Sequence, residues 1–263
     1  MTIAWRINAE RLTLFGWSRA ILLQLAHPLI AAGVADHSTF RAGPIATAAR
    51  LHHTIHAMLS LTFGTPTERE RTLEKIRTIH RAVHGMLRER VGGFEAGTPY
   101  SAEQPELLLW VHATLLDSLP RIYEQLAGPM TMRERDQYCE DAEWVLRALG
   151  ATAIAAPRSW NALQAYIAEM FESERIVVGT TARTLAAAVL SPPFKWVVAP
   201  ASRANLLFTV GSLPERLRNQ YGFEWTPREA RALERWARTI RAARQWTPRA
   251  LAVWPEARRI ERT

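Results

Sequence analysis

An all-α fold is what the sequence predicts, on three observations. Apolar residues recur at i, i+3, i+4 and i+7 along most of the chain, few segments alternate with period two, and capping residues and glycines fall at the ends of the periodic stretches. With 263 residues, 48% apolar and 22% charged, the chain can bury a sizeable core and is too apolar for disorder. No internal repeat and no long polar linker interrupts it. The expectation is therefore a single multi-helix domain over residues 1–263, with about eight to ten helices.

The longest apolar run is Ala20 to Ala35. Gln24, His27 and Pro28 interrupt it, and it is shorter than the roughly 20 residues that cross a bilayer, so it reads as a buried helix pair. Helical period then predicts helices over Arg50–Phe63, Thr67–Arg90, Pro105–Ala127, Thr131–Leu149, Trp160–Thr184, Ser202–Tyr221 and Pro227–Arg244. Thr65-Pro66-Thr67-Glu68 and Ser101-Ala102-Glu103-Gln104-Pro105 place a capping side chain, a proline and an acid where a helix starts. Gly64, Gly85, Gly128, Gly150 and Gly222 fall where helices should end. Irregular chain is expected at Val91–Pro99, which is rich in glycine, and at Leu190–Pro200, which carries Pro192, Pro193 and Pro200.

Cys139 is the only cysteine, which excludes an internal disulfide and any thiolate-rich zinc or iron–sulfur site. A reducing, cytoplasmic setting is expected, and the first residues lack the pattern of a secretory signal. The net charge is +8, and from Ala201 onward thirteen Arg against six Glu give +7 of it. Arg228, Arg231, Arg235, Arg238 and Arg241 form a stripe on the last long helix, at about 227–245, with Trp225, Trp236 and Trp246 nearby. Such a helix suits peripheral contact with an anionic membrane; a plain solvated face is the other reading. Nucleic acid is not an expected partner, because no helix-turn-helix, zinc-finger or base-stacking motif accompanies the charge.

Histidine is skewed the opposite way. All eight, His27, His37, His52, His53, His56, His80, His84 and His112, lie in the N-terminal half, so imidazole chemistry belongs there. His52 and His56 stand four apart, as do His80 and His84, a spacing at which two imidazoles on one helix face can share a metal ion. No Glu lies three residues before any histidine, which removes the dinuclear carboxylate pattern. His53 and Arg81 follow the first histidine of each pair, where a zinc protease has Glu. His80 shares a helix face with Ile76, Ile79 and Val83, the setting of an axial haem ligand in an apolar slot, though a satisfied core histidine fits there too. His112 lies in an almost wholly apolar helix, where its nitrogens need a partner.

Five blocks in order carry a further signal: Arg19 to Ser38 around Leu25-Ala26-His27-Pro28-Leu29; Arg50-Leu51-His52-His53-Thr54; Ile79-His80-Arg81-Ala82-Val83-His84-Gly85; Tyr100-Ser101-Ala102 with Pro105 to Thr114; and Val210 to Arg218 with Tyr221-Gly222. Together, over Trp5 to Ala243, they resemble the rubber oxygenase (latex clearing protein) catalytic-domain family, which also includes an endoplasmic-reticulum-bound fungal oxygenase of mycophenolic acid biosynthesis. The resemblance implies an all-α domain with a globin-like core, haem b as iron cofactor, and dioxygen as co-substrate for cleaving double bonds of polyisoprenoid chains. It further implies an oxidoreductase acting on a hydrophobic substrate, though not polymeric rubber, because the chain is closer to the general bacterial branch.

By the same resemblance Arg50 and Thr54 match an Arg-x-x-x-Thr motif of the distal pocket, and His80 is the preferred iron ligand. His84 fits about as well by spacing from Arg50, and His112 is the third choice. His53 replaces a distal lysine, and a histidine there would either hydrogen-bond dioxygen or ligate iron. Asp36 or His37 falls near an acidic position of the family. Arg19 and Arg77 are expected propionate partners, since each can donate a forked pair of hydrogen bonds. The alternative is a non-catalytic all-α protein that binds haem or lipid.

Overall fold

The computed structural model describes residues 2–38, 44–191 and 199–260. Helices dominate, as expected for an all-α protein, but among the described residues there are fourteen, more and shorter than the periodicity suggests. In chain order they are α1 (Ile3–Ala9), a 3-10 turn (Arg11–Thr13), α2 (Leu14–Leu25), α3 (Pro28–His37), α4 (Pro44–Phe63) and α5 (Pro66–Ala82). Two short strands follow, β1 (His84–Met86) and β2 (Pro99–Ser101), paired antiparallel. Then come α6 (Pro105–Leu126), α7 (Met132–Ala148), α8 (Trp160–Glu172), α9 (Thr180–Val189), α10 (Ala199–Gly211), α11 (Glu215–Tyr221), α12 (Pro227–Trp246), α13 (Arg249–Ala252) and α14 (Pro255–Ile260). Pro192 and Pro193 of the expected irregular piece lie outside the described residues.

The apolar run folds as the helix pair α2 and α3, bent by 105°. Pro28 at the first turn of α3 holds the preceding His27 in an extended conformation, which forces the corner. No single described helix is long and apolar enough to cross a membrane.

Three expected helices stop early, each for a tertiary reason. The helix predicted to Arg90 ends at Ala82, because Val83 turns extended and Gly85 pairs with Tyr100 across the hairpin. A Cβ on Gly85 would lie 2.5 Å from the Tyr100 hydroxyl, so the ring closes over backbone. Between α8 and α9 the chain runs extended, with Ile176 and Val178 buried. Its amides are satisfied by distant partners, Val177 N–H donating to the Ala26 carbonyl (2.8 Å) and Val178 N–H to Gln220 Oε1 (3.0 Å). Between α10 and α11, Gly211 admits Trp225 to 2.5 Å of where a Cβ would be, and Pro214 restarts the helix.

The core centres on α2 against α6. Trp110 Nε1 donates to the Leu23 carbonyl (3.1 Å) and the Tyr221 hydroxyl to the Leu22 carbonyl (2.6 Å), so buried polar ends reach backbone carbonyls in the last turn of α2. In the middle of α2 Arg19 ion-pairs with Asp117 at 2.7 Å, their side chains 4% and 1% exposed. The Arg19 guanidinium also donates to Ser118 Oγ (2.6 Å) and the Ser212 carbonyl (2.9 Å). Asp117 accepts from Arg121 (2.7 Å) and Gln164 (2.8 Å). Burial works against the Asp117 charge, but Arg19, Arg121 and Gln164 hold its carboxyl below its ordinary value.

Two imidazoles are buried in this frame. Nδ1 of His27 and Nε2 of His112 have no hydrogen-bond partner among the described residues. Burial lowers both to a pKa of about 4, with Arg175 adding to the effect at His27 and Glu143 opposing it at His112. In the unfolded chain both take protons near pH 6.5. Stability is therefore expected to be full above that value and to fall as pH drops from about 6.5 to about 4, by about 3 kcal/mol for each residue. Urea midpoints across that range check this; a flat profile contradicts it. Replacing Asp117 by Ala leaves the Arg19 charge buried and unpaired, and is expected to cost about 3–5 kcal/mol in equilibrium unfolding.

Candidate functional site

The candidate residues gather on α4 and α5, a hairpin turned through Gly64 and Thr65. Thr65 and Glu68 close a capping box, with Thr65 N–H donating to Glu68 Oε2 (2.7 Å) and Glu68 N–H to Thr65 Oγ1 (3.3 Å). Arg50, His53 and Thr54 occupy positions i, i+3 and i+4 of α4, so they share one strip. His53 and Thr54 are exposed, whereas Arg50 is half-buried and burial lowers its pKa. The Thr54 hydroxyl donates to the Arg50 carbonyl (3.0 Å), which commits its proton and leaves its lone pairs outward.

His80 lies across the hairpin, half-buried on the last turn of α5. Burial lowers its pKa, the nearby Arg50 charge lowers it further, and Glu103, in the turn before α6, opposes both. These three side chains thus form one electrostatic group joining α4, α5 and the entry to α6. No hydrogen bond ties up either His80 ring nitrogen among the described residues. The result is a neutral imidazole with an uncommitted lone pair, the form that ligates a metal.

The other expected residues lie apart from this group. The apolar slot around His80 is half open: Ile79 is 47% exposed, and Val83 lies beyond the helix end. His84 does not share a helix with His80. It stands exposed on β1, and its carbonyl is 3.0 Å from His37 Nε2. Arg19 cannot serve as a propionate partner, because its forked donors are spent on Asp117, Ser118 and Ser212 in the core. Arg77 is spent likewise: Nε and Nη2 donate to the Ala148 carbonyl (3.0 and 2.8 Å) at the end of α7, and Nη1 reaches Glu70 (3.1 Å). His112 is enclosed on the face of α6 that carries Leu108 and Leu109, against α7. His52 and His56 bring their rings to 4.4 Å on an exposed face, and no group of three or more His, Cys, Asp or Glu suited to a metal occurs among the described residues.

Two features were hidden from sequence reasoning. Glu103 reads from the sequence only as part of a helix start, and only the fold brings it to His80. The second is a cavity of about 350 Å³ between α3, the chain after β1, and α9. Ala31, Ala32 and Ala35 of α3 face Leu87 and Val91 across it, and small side chains opposite large ones leave the space open. At its rim Asp36 pairs with Arg88 (2.6 Å) and accepts from the Tyr100 hydroxyl (2.8 Å). Burial, together with Asp36, raises that phenol to about 12. The run of alanines in α3 was the available signal. No residue of α4 or α5 lines this cavity.

The model of a protein family described as the catalytic domain of ER-bound oxygenase mpaB/B' and rubber oxygenase matches residues 5–242. Searches of curated proteins and of solved structures find no match. The matched span runs from within α1 to within α12 and takes in Arg50, His53, Thr54, His80 and Glu103 as well as the cavity. The chain therefore belongs to this family of oxygenase catalytic domains.

Proposed function

We propose that the protein is a haem-dependent oxygenase that oxidises or cleaves a slender hydrophobic substrate, with an isoprenoid as the class that family membership favours. The observation that carries this reading is the His80 imidazole, which is neutral, half-buried, free of protein hydrogen bonds and set beside a cationic side chain. That donor set fits haem: His80 would hold the iron through a ring nitrogen, and the exposed Ile79 beside it offers apolar surface for a porphyrin to cover. When bound, the haem supplies an iron centre that activates dioxygen.

The chain's own residues divide the remaining work. Burial keeps His80 neutral with Arg50 adding to the effect, and Arg50 places a positive charge at the hairpin, where it favours developing negative charge. His53, on the same strip, can donate a ring N–H, while Thr54, its proton committed to Arg50, acts as an acceptor. The cavity has the volume of a small-ligand pocket, with an apolar side of Ala31, Ala32, Leu87 and Val91 that would take an apolar chain and a polar side that includes Asp36, Arg88 and Glu89.

Titration of the purified protein with haem tests the assignment. A Soret band is expected, and His80→Ala should weaken haem binding by on the order of 100-fold, at least what loss of a ligand's supporting partner costs. His84→Ala should leave the band unchanged. No haem uptake, or a band lost in His112→Ala and kept in His80→Ala, would overturn it. Oxygen uptake on adding an isoprenoid is expected of the loaded protein; a Soret band without turnover on any apolar alkene identifies a haem-binding protein instead. A separate readout concerns Arg50: in Arg50→Gln the His80 imidazole should titrate at higher pH by NMR, because a repelling charge has gone, and an unchanged titration contradicts the coupling.

A further inference from the structure

The arginine stripe of α12 divides in two. Arg241 donates to the Gln125 carbonyl (2.7 Å) and Arg244 chelates Glu10 (2.9 and 2.5 Å), so the end of the helix is pinned to α6 and to the turn after α1. Arg231, Arg235 and Arg238 are exposed and make no ion pair among the described residues. They lie opposite the face through which Leu233, Trp236, Ala237 and Ile240 pack on Phe208 and Ile122. The three tryptophans divide as well. Trp236 is in that packed face and Trp225 is wedged against Gly211, but Trp246 is 85% exposed. Five helical turns separate Trp246 from Arg228, which places both on the cationic side. Leu251, on α13, is 64% exposed just beyond it.

We infer that this outward face of α12, with Trp246 at its end, docks on an anionic lipid bilayer. Three unpaired cations seek negative charge, in a C-terminal stretch that holds +7 of the chain's +8. An indole held in water seeks the headgroup boundary, where tryptophan is favoured. A polyanion such as DNA would satisfy the first demand and not the second. Trp246 lies outside residues 5–242, the span that the family model matches. The inference is independent of the haem assignment.

Co-sedimentation of the full chain with vesicles of phosphatidylcholine alone, and of phosphatidylcholine mixed with phosphatidylglycerol, tests it. Binding is expected only to the mixed vesicles, falling as salt rises. The combined Arg231→Gln, Arg235→Gln and Arg238→Gln variant should bind on the order of 100-fold more weakly, since each basic residue near an anionic surface contributes about five-fold. Lysine at the same three positions should keep binding. Trp246→Ala should weaken it at every salt concentration, because its contribution is apolar. All four side chains are exposed, so thermal unfolding of each variant should match the parent. Equal binding to both vesicles, a glutamine variant that binds like the parent, or capture by duplex DNA as strong as by mixed vesicles and indifferent to Trp246, overturns the inference.

Discussion

The ion pair between Arg19 and Asp117 sits where neither charge could remain alone, with side chains 4% and 1% exposed. A buried pair of this kind adds little net stability over a well-packed apolar pair, yet losing one partner leaves a charge that nothing offsets. Its effect here is to dictate which elements meet. Arg19 brings α2 to α6 and to the turn between α10 and α11, and Asp117 draws in Gln164 of α8. With α2 locked at Arg19, the 105° corner at His27 and Pro28 sets the direction of α3. Asp36 near the end of α3 then accepts from Tyr100, whose strand stops α5 two residues after His80.

The α4–α5 hairpin contrasts with this frame. Its capping box is local, and its candidate residues are half-buried or exposed instead of enclosed. A cofactor ligand needs that condition. His112, enclosed between α6 and α7, and His27, at the corner of α2 and α3, are held by the fold and lowered to a pKa of about 4. His80 is shielded enough to be neutral and open enough to be reached. The same division appears on α12, where two arginines serve the frame and three face outward.

Local chemistry was legible in the sequence, and distant chemistry was not. The box at Thr65 and Glu68, the starts at Pro105 and Pro227, and the ends at Gly150 and Gly222 depend on neighbours a few residues apart. The end of α5 at Ala82 depends on Tyr100, and the break after Glu172 depends on Ala26 and Gln220; no window of periodicity contains those partners. Arg19 and Arg77 matched a propionate role by side-chain type alone, and only the fold shows their donors taken by Asp117 and by the Ala148 carbonyl. The family motif names Arg50 and His80 separately, whereas the charge of Arg50 on His80, and of Glu103 against it, arises from packing.

The central claim is that the uncommitted imidazole of His80 is the chain's haem ligand. A crystal structure of the haem-loaded protein tests it most directly. The account predicts iron bonded to a ring nitrogen of His80, with Arg50 on the same hairpin and His112 still enclosed by α6 and α7. Iron bonded to His112 or His84, with His80 turned to solvent, would contradict it.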